Sequence, residues 1–123
     1  MLREILPPTR RFTTRIKTSQ SVWVYWRCNG LDEASRVRDL SLGGLFVETA
    51  KVMLVGSKVG IDFLVQEGQI RAEAVVRRVE IGRGLGLKFT CLKDKDIPHL
   101  ISLMNRLRNF VSISTTRVLS PQN

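Results

Sequence analysis

Apolar and polar residues alternate along much of the chain, which is the pattern of β-strands with one buried face. The first such stretch starts near residue 21 and places Trp23, Tyr25 and Arg27 on one face. The opposite face is apolar and consists of Val22, Val24, Trp26 and Cys28. Asn29-Gly30 follows directly and predicts a tight turn into the next strand.

Five further strands are predicted from the same period of two. They cover residues 34–40, 45–49, 59–65, 70–76 and 85–91. The alternation slips at Arg77-Arg78, because Val79 and Ile81 restart the apolar set, and a β-bulge would explain the slip. Six short strands joined by tight turns are typical of a sandwich or a small barrel, and closure of a barrel would remove exposed strand edges.

The apolar period changes from that of a strand to that of a helix after residue 93. Asp94 and Asp96 favour a helix N-terminus at this point. Because Pro98 is tolerated only in a first turn, the helix is predicted to begin near Lys95 and to cover one end or face of the barrel. Its apolar positions are Ile97, Leu100, Ile101, Met104 and Leu107. Trp23 and Tyr25 are expected to pack against this helix or the barrel wall, which is favoured over a role in base stacking.

These patterns divide the chain into three parts. Residues 1–20 contain two prolines and several Thr and Ser, and are predicted to form a flexible, basic N-terminal arm. Residues 21–110 form the β-barrel with its C-terminal helix. Residues 111–123 are predicted to form a polar tail, in which Val111 and Ile113 could add a short strand.

The composition fits one globular domain with one core, since 43% of the 123 residues are hydrophobic. No signal peptide is recognised, and no apolar run approaches the roughly 18 residues of a membrane span, so a cytoplasmic protein is expected. Cys28 and Cys91 are interpreted as buried, reduced thiols. Because a zinc site needs about four Cys or His ligands, neither a metal nor a cofactor is predicted.

The formal net charge of +9 implies an anionic partner. Six basic side chains and one acidic side chain lie within residues 1–30. Arg10, Arg11 and Arg15 stand out, because a guanidinium group suits both phosphate oxygens and the O6/N7 edge of guanine. On its own this cluster is a weak signal in a chain with 20 basic residues, and a solvated basic tail explains it equally well.

A second candidate segment lies where the second strand meets the turn into the third. Asp39 can accept hydrogen bonds from the N1 and N2 groups of guanine, and Ser41 can donate to a phosphate oxygen. Gly43 and Gly44 would let the backbone approach a ligand or adopt positive φ. An ordinary turn that uses Asp, Ser and Gly for local hydrogen bonds is the alternative.

Taken together, the two segments resemble the PilZ domain, a bacterial family of cyclic di-GMP receptors. Arg11 and Arg15 match its R-x-x-x-R motif, and residues 39–44 match its [D/N]-x-S-x-x-G motif. A late G-[L/V]-G-x-x-F strand also matches, at residues 84–89. The resemblance covers about residues 10–110, and its order of arm, six strands and helix agrees with the pattern read above.

The resemblance implies a six-stranded antiparallel barrel and an arm that closes over cyclic di-GMP. Asp39 would read guanine, while Arg11 and Arg15 would hold guanine and phosphate. An arginine directly before the first motif, here Arg10, implies an intercalated nucleotide dimer. One departure is Phe12, which directly follows Arg11 where many members have an aromatic or proline nearer the second arginine, and this leaves the path of the arm open.

Three alternatives remain at this stage. The chain could be a small basic barrel that binds RNA or single-stranded DNA, although nucleic acid is the less favoured partner. It could also be a ligand-free module that kept the motifs by descent. A catalytic triad of Asp39, Ser41 and His99 is disfavoured, because acyl transfer also needs an oxyanion site and an oriented base. The expected role is therefore a non-enzymatic receptor that signals to an unidentified protein effector.

Overall fold

The computed structural model describes residues 2–3, 14–18 and 21–119, with side chains described for residues 14–18 and 21–109. This part of the chain forms eight strands, a single 3-10 turn and one helix. The elements are β1 (Leu2–Arg3), β2 (Ile16–Lys17), β3 (Trp23–Cys28), β4 (Leu31–Ser41), β5 (Gly44–Glu48), β6 (Lys58–Leu64), β7 (Arg71–Glu80), β8 (Gly84–Lys93), the 3-10 turn Asp94–Asp96 and α1 (Ile97–Leu119).

The six longer strands close into an antiparallel barrel. They follow the order β8-β5-β4-β3-β6-β7, and the pairing of β7 with β8 completes the ring. The two short strands add to the barrel from outside, β1 on β8 and β2 on β4. The predicted fold, an antiparallel six-stranded barrel with one C-terminal helix, is confirmed.

The interior of the barrel holds the apolar face that the alternation predicts. Val24 and Trp26 on β3 and Val37 on β4 are fully buried, and Cys28 is buried next to them. Cys91 differs from its prediction, because its thiol is free but only partly buried. The register of β7 against β8 shifts between Glu73 and Ala74, so Leu92 takes the core position that strict alternation would give to Cys91.

Two local irregularities occur where the sequence indicates them. Asn29 and Gly30 both have positive φ, 52° and 83°, as a two-residue hairpin turn requires. Cys28 therefore pairs with Leu31, and β4 begins three residues earlier than predicted. The second irregularity is the register shift between Val76 and Arg78, which confirms the predicted bulge in β7.

Helix α1 covers the end of the barrel that contains the β6–β7 turn. Arg106 forms an ion pair with Glu67, and this hydrogen bond raises the pKa of the arginine. The Nδ1 atom of His99 lies 2.8 Å from the carbonyl oxygen of Gln69 in the same turn. The helix side chains that enter the core are Leu100, Leu103, Met104 and Leu107. These contacts join the helix to both the turn and the barrel interior.

Two expectations about the ends and faces of the elements are wrong. The backbone is helical to Leu119, so Val111 and Ile113 lie on α1 and do not form a strand. Trp23 was expected to be covered, but 43% of its surface is exposed on the outer face of β3. The residues of β3 that alternate with its core residues lie on the outer face of the barrel. Helix α1 packs against one end of the barrel and does not cover this face.

Candidate functional site

The arm meets the barrel along β4. Ile16 and Lys17 pair with Leu40 and Asp39 as an antiparallel ladder. Thr18, which is buried, continues this connection: its amide donates to the carbonyl of Arg38 at 3.1 Å, and its hydroxyl donates to a second β4 carbonyl at 2.5 Å. Residues 16–18 of the predicted arm are therefore joined to the sheet by hydrogen bonds, and this segment is fixed beside the Asp39 loop.

Arg15 and Asp39 form the central contact of the site. Nη1 of Arg15 donates to Oδ1 of Asp39 at 3.0 Å. The arginine side chain is 48% exposed, whereas that of Asp39 is 12% exposed. The pair thus presents a guanidinium group to solvent above a carboxylate that is largely shielded, and its Coulomb attraction is screened less than that of a fully exposed pair.

Arg38 contacts the same carboxylate from the other side. Its Nε donates to Oδ2 of Asp39 at 3.3 Å, and its Nη1 lies 3.5 Å from a carboxylate oxygen of Glu80. Its guanidinium carbon lies 3.7 Å from the ring centroid of Phe46, which is a close cation–π stack. These contacts fix the orientation of Arg38 and of the Asp39 carboxylate together.

The turn between β4 and β5 is held by Ser41. Its Oγ accepts a hydrogen bond from the amide of Gly43 at 3.1 Å and lies 3.5 Å from the carbonyl oxygen of Gly44. Neither glycine has positive φ, so that explanation for them is wrong. A methyl group on Gly44 would lie 2.1 Å from the carbonyl oxygen of Leu87, and the close approach of β5 to β8 therefore requires glycine there.

Gly84 and Gly86 of the late glycine motif lie on β8, in the part of the barrel wall next to this site. Phe46 points away from the barrel interior but is buried, because Gly86 lies opposite it and Gly84 leaves room for its ring. A methyl group on Gly84 would lie 2.5 Å from that ring. Arg78 adds a second cation, 5.4 Å from the ring centroid. The result is a cluster of cations and one aromatic ring next to Asp39.

Sequence reasoning did not identify Arg38, Phe46 or Glu80 as part of this region. A signal for Phe46 was present, because a large aromatic on the outward face of β5 needs cover, and glycines on the paired strand can supply the space. Arg38 carries no comparable signal, since basic residues on outward positions usually contact only solvent. Its role depends on β7, which is distant in sequence and supplies Glu80.

The predicted site residues are brought together as far as the structure describes them. Arg15 contacts Asp39, and the Ser41 turn follows directly on the same strand. Arg10 and Arg11 lie outside the described residues, so their predicted roles stay predictions. His99 binds the β6–β7 turn, and Ser41 and Asp39 have other partners, so the geometry of a triad is not present.

The arrangement can bind an anion and read a hydrogen-bonding base at the same time. Guanidinium groups supply paired donors for phosphate, and a shielded carboxylate supplies acceptors for N–H groups. Within the described ranges, no group of three or more His, Cys, Asp or Glu side chains is arranged to hold a metal ion. In that same part of the chain, no helix combines the length and apolar character needed to cross a membrane.

Comparison with known proteins supports the family resemblance. A protein-family model described as the PilZ domain matches residues 9–106. A search of curated protein sequences finds no significant match. Several solved structures also match this chain, two of them as follows. The first is the inhibitor of motility MotI/DgrA of Bacillus subtilis, with 19% identity, a TM-score of 0.59 and coverage of 84% of this chain and 51% of that one.

The second is the PlzA protein of Borreliella burgdorferi in complex with c-di-GMP. It has 21% identity and a TM-score of 0.47, and the match covers 68% of this chain and 34% of that one. The chain therefore spans about half of the first structure and about a third of the second. At these identities, the first likeness shows a shared fold, and the second adds nothing to the functional argument.

Proposed function

Because the chain belongs to the PilZ domain family, we propose that it is a receptor for cyclic di-GMP that performs no catalysis and passes its signal to another protein. The observation that carries this proposal is the 3.0 Å contact between Arg15 and Asp39. It joins the two motif segments, 24 residues apart, at one place on the barrel. A cyclic dinucleotide needs both functions there, donors for its phosphates and acceptors for the N–H groups of guanine.

Asp39 can serve the ligand without losing its present partners. A carboxylate has about four lone-pair sites, and Arg15 and Arg38 use one on each oxygen. The remaining sites suit the N1 and N2 donors of a guanine. Arg15 likewise keeps free N–H groups on an exposed guanidinium, which suit a phosphate oxygen or the O6/N7 edge of the base.

The rest of the proposed site follows from the family motifs. Arg11 would hold phosphate and guanine together with Arg15, and Arg10 would add a cation for a second nucleotide. Ser41 and the backbone at Gly43 and Gly44 would line the loop side of the ligand. In this proposal the arm orders over the nucleotide from an anchor that already exists at β2, so fewer residues lose conformational freedom on binding.

The receptor role is proposed to take place in the bacterial cytoplasm. Cyclic di-GMP is a bacterial second messenger, and two free cysteines suit a reducing compartment. The ordered arm and the adjoining barrel wall would form the surface that the effector recognises. Motility, polysaccharide secretion, pilus assembly and transcription are all outputs that such a receptor can control.

Calorimetric titration with cyclic di-GMP tests the proposal. Asp39→Ala, Arg11→Ala and Arg15→Ala should each weaken binding by about tenfold or more, because each removes charge-assisted hydrogen bonds worth roughly 1.5–3 kcal/mol. Arg27→Ala and Asp62→Ala are matched controls, since these two residues form a similar ion pair at 3.2 Å on β3 and β6. The controls should bind as the unchanged chain does.

Two results would reject this function. One is the absence of heat at high micromolar nucleotide, and the other is undiminished binding in all three site variants. A fluorescent oligonucleotide in the same assay tests the nucleic-acid alternative, which requires tight, salt-sensitive binding that cyclic di-GMP does not displace. A stoichiometry of two nucleotides per chain is expected, and a value near one would contradict the role given to Arg10.

A further inference from the structure

A group of exposed apolar side chains lies at the end of the barrel away from the helix. The β5–β6 loop precedes β6, and the β6–β7 turn that contacts α1 follows it, so the two connections lie at opposite ends of the same strand. We call the exposed group the distal apolar patch. Its members, with their exposed fractions, are Val52 (56%), Leu54 (80%), Val55 (65%) and Ile81 (81%).

The backbone that presents this patch is held in place by the barrel. Met53 lies between exposed neighbours but inserts into the core. At one end of the loop, the amide of Thr49 donates to the carbonyl of Arg83 at 3.3 Å. At the other end, Gly56 and Val76 are joined by a hydrogen bond of 2.7 Å. The patch is therefore preformed, and its exposed apolar side chains cannot turn inward without displacing Met53.

Cationic side chains stand at both ends of the patch. Lys58 and Arg77 adjoin the residues of the Gly56–Val76 connection, and both are exposed without an ion-pair partner among the described residues. The Arg83 side chain adjoins the other end and is 75% exposed, with Glu80 at 4.0 Å as its ion-pair partner among the described residues. An apolar surface with cations at its ends complements a surface that carries apolar side chains flanked by carboxylates.

The charge distribution also separates the possible occupants. A second copy of the chain would carry the same net charge of +9 and the same cations at the patch, so self-association is opposed by repulsion. Beside the patch, Arg83 is already paired with Glu80 and Lys51 with Glu33, so an anionic bilayer gains less attraction from these cations. A protein can place its carboxylates opposite Lys58 and Arg77, which have no ion-pair partner among the described residues.

We propose that the distal apolar patch is the docking surface for a different protein, one that presents a short apolar segment flanked by Asp or Glu side chains. The patch adjoins the region of Asp39, because Glu80 contacts Arg38 and directly precedes Ile81, so this partner would dock beside the nucleotide on a surface of its own. The proposal goes beyond cyclic di-GMP binding and does not depend on it.

Site-specific photocrosslinking in native host cells provides the first step of the test. Benzoylphenylalanine is placed at position 54 and, in a matched control, at position 64, where Leu64 is 55% exposed on the outer face of β6. We expect an adduct with one protein from position 54 and none of that protein from position 64. Equal yields from the two positions, or no adduct from position 54, would overturn the proposal.

Binding of the purified adduct partner to the full chain is then measured by calorimetry. Leu54→Ser with Val55→Ser should weaken binding at least tenfold, and Lys58→Glu with Arg77→Glu should weaken it several-fold, with the loss growing as salt is lowered. Leu64→Ser and Lys95→Glu change exposed residues elsewhere and should leave binding within about twofold. Because all these residues are exposed, unchanged thermal unfolding verifies that each variant folds.

Three other outcomes would also contradict the proposal. They are an adduct between two copies of this chain, binding to vesicles of phosphatidylglycerol that requires Leu54 and Val55, and binding of the captured partner that survives both double variants. The measurements are repeated with Asp39→Ala, which disables the proposed nucleotide site and leaves the patch intact. Partner binding that persists in this variant shows that the two proposals stand or fall separately.

Discussion

Gly44 and Gly43 are adjacent in the sequence, but the structure gives them different constraints. A Cβ on Gly44 would lie 2.1 Å from the carbonyl oxygen of Leu87, whereas a Cβ on Gly43 would find its nearest neighbour, Oγ of Ser41, at 3.7 Å. A methyl group on Gly44 would force strands β5 and β8 apart, whereas one on Gly43 would make an ordinary van der Waals contact. The glycine of the family motif is therefore explained by strand packing before any ligand is considered.

Gly44→Ala should lower the free energy of unfolding by about 1–3 kcal/mol, because the barrel wall must shift to accept the methyl group. Gly43→Ala, the matched control, should change it by no more than about 0.5 kcal/mol. Urea unfolding of both variants without nucleotide makes the comparison. Equal stabilities would show that the wall between β5 and β8 adapts freely, contrary to this account.

The β3–β4 hairpin joins a core side chain to a surface carboxylate. The indole N–H of Trp26 donates to Oγ of Ser35 at 2.9 Å, and that hydroxyl donates to Glu33 at 2.6 Å. Burial raises the pKa of Glu33, but hydrogen bonds from Ser35 and Thr49 and the charge of Lys51 outweigh it, so the pKa lies below the usual value. The ionised carboxylate therefore stabilises the hairpin.

This depressed pKa predicts how stability depends on pH. The contribution of Glu33 is complete above the pKa of an unfolded glutamate, roughly 4.3, and is lost as pH falls through the lower folded value. Glu33→Gln should reduce the loss of unfolding free energy between about pH 5 and about pH 3. Glu73→Gln, an exposed glutamate on β7, is the control. If the free energy of unfolding of Glu33→Gln fell with pH as steeply as that of the unchanged chain, the argument would be contradicted.

Strand β2 shows that part of the predicted N-terminal arm is ordered against the barrel. The sequence predicts a flexible segment for residues 1–20, because it has no sustained apolar period. In the structure, Ile16 and Lys17 pair with β4, and Thr18 is buried against it. A two-residue strand leaves no periodic signal, since its order comes from backbone groups that an existing strand edge provides.

The net charge of +9 acts on the whole molecule and on any anionic ligand. If cyclic di-GMP binds beside Arg15 and Arg38, long-range attraction adds to the direct contacts. Raising salt from about 0.1 M to about 1 M shortens the screening length from roughly 10 Å to roughly 3 Å, so affinity should fall several-fold. Calorimetry over this range measures the effect, with thermal unfolding at each salt concentration as the control.

Affinity that stays constant over the same salt range would show that the charge excess does not contribute to binding. In that case the local hydrogen bonds of Asp39 and Arg15 would account for the affinity. A parallel loss of thermal stability would instead mark salt as a general destabiliser, and the binding data would then need correction for the unfolded fraction.

The strands, the hairpin turn at Asn29-Gly30 and the start of the helix could all be predicted from local patterns. Each depends on interactions between near neighbours in sequence, such as the period of two that places Val22, Val24 and Trp26 on one face. The two motif segments were also recognisable, because their residue types and order are written in the chain. Cys91 shows the limit, since one register shift moved it out of the core.

Contacts between strands that are distant along the chain could be seen only in the tertiary structure. The pairing of β5 with β8, the packing of the Phe46 ring against Gly84 and the ion pair between Glu80 and Arg38 all join residues more than 35 positions apart. Period and composition describe which face a residue takes, but not which residue faces it across the sheet. Local pattern thus predicted the strands and the helix, and the family motifs implied the barrel, while barrel closure decided what surrounds Asp39 and where Leu54 and Ile81 are exposed.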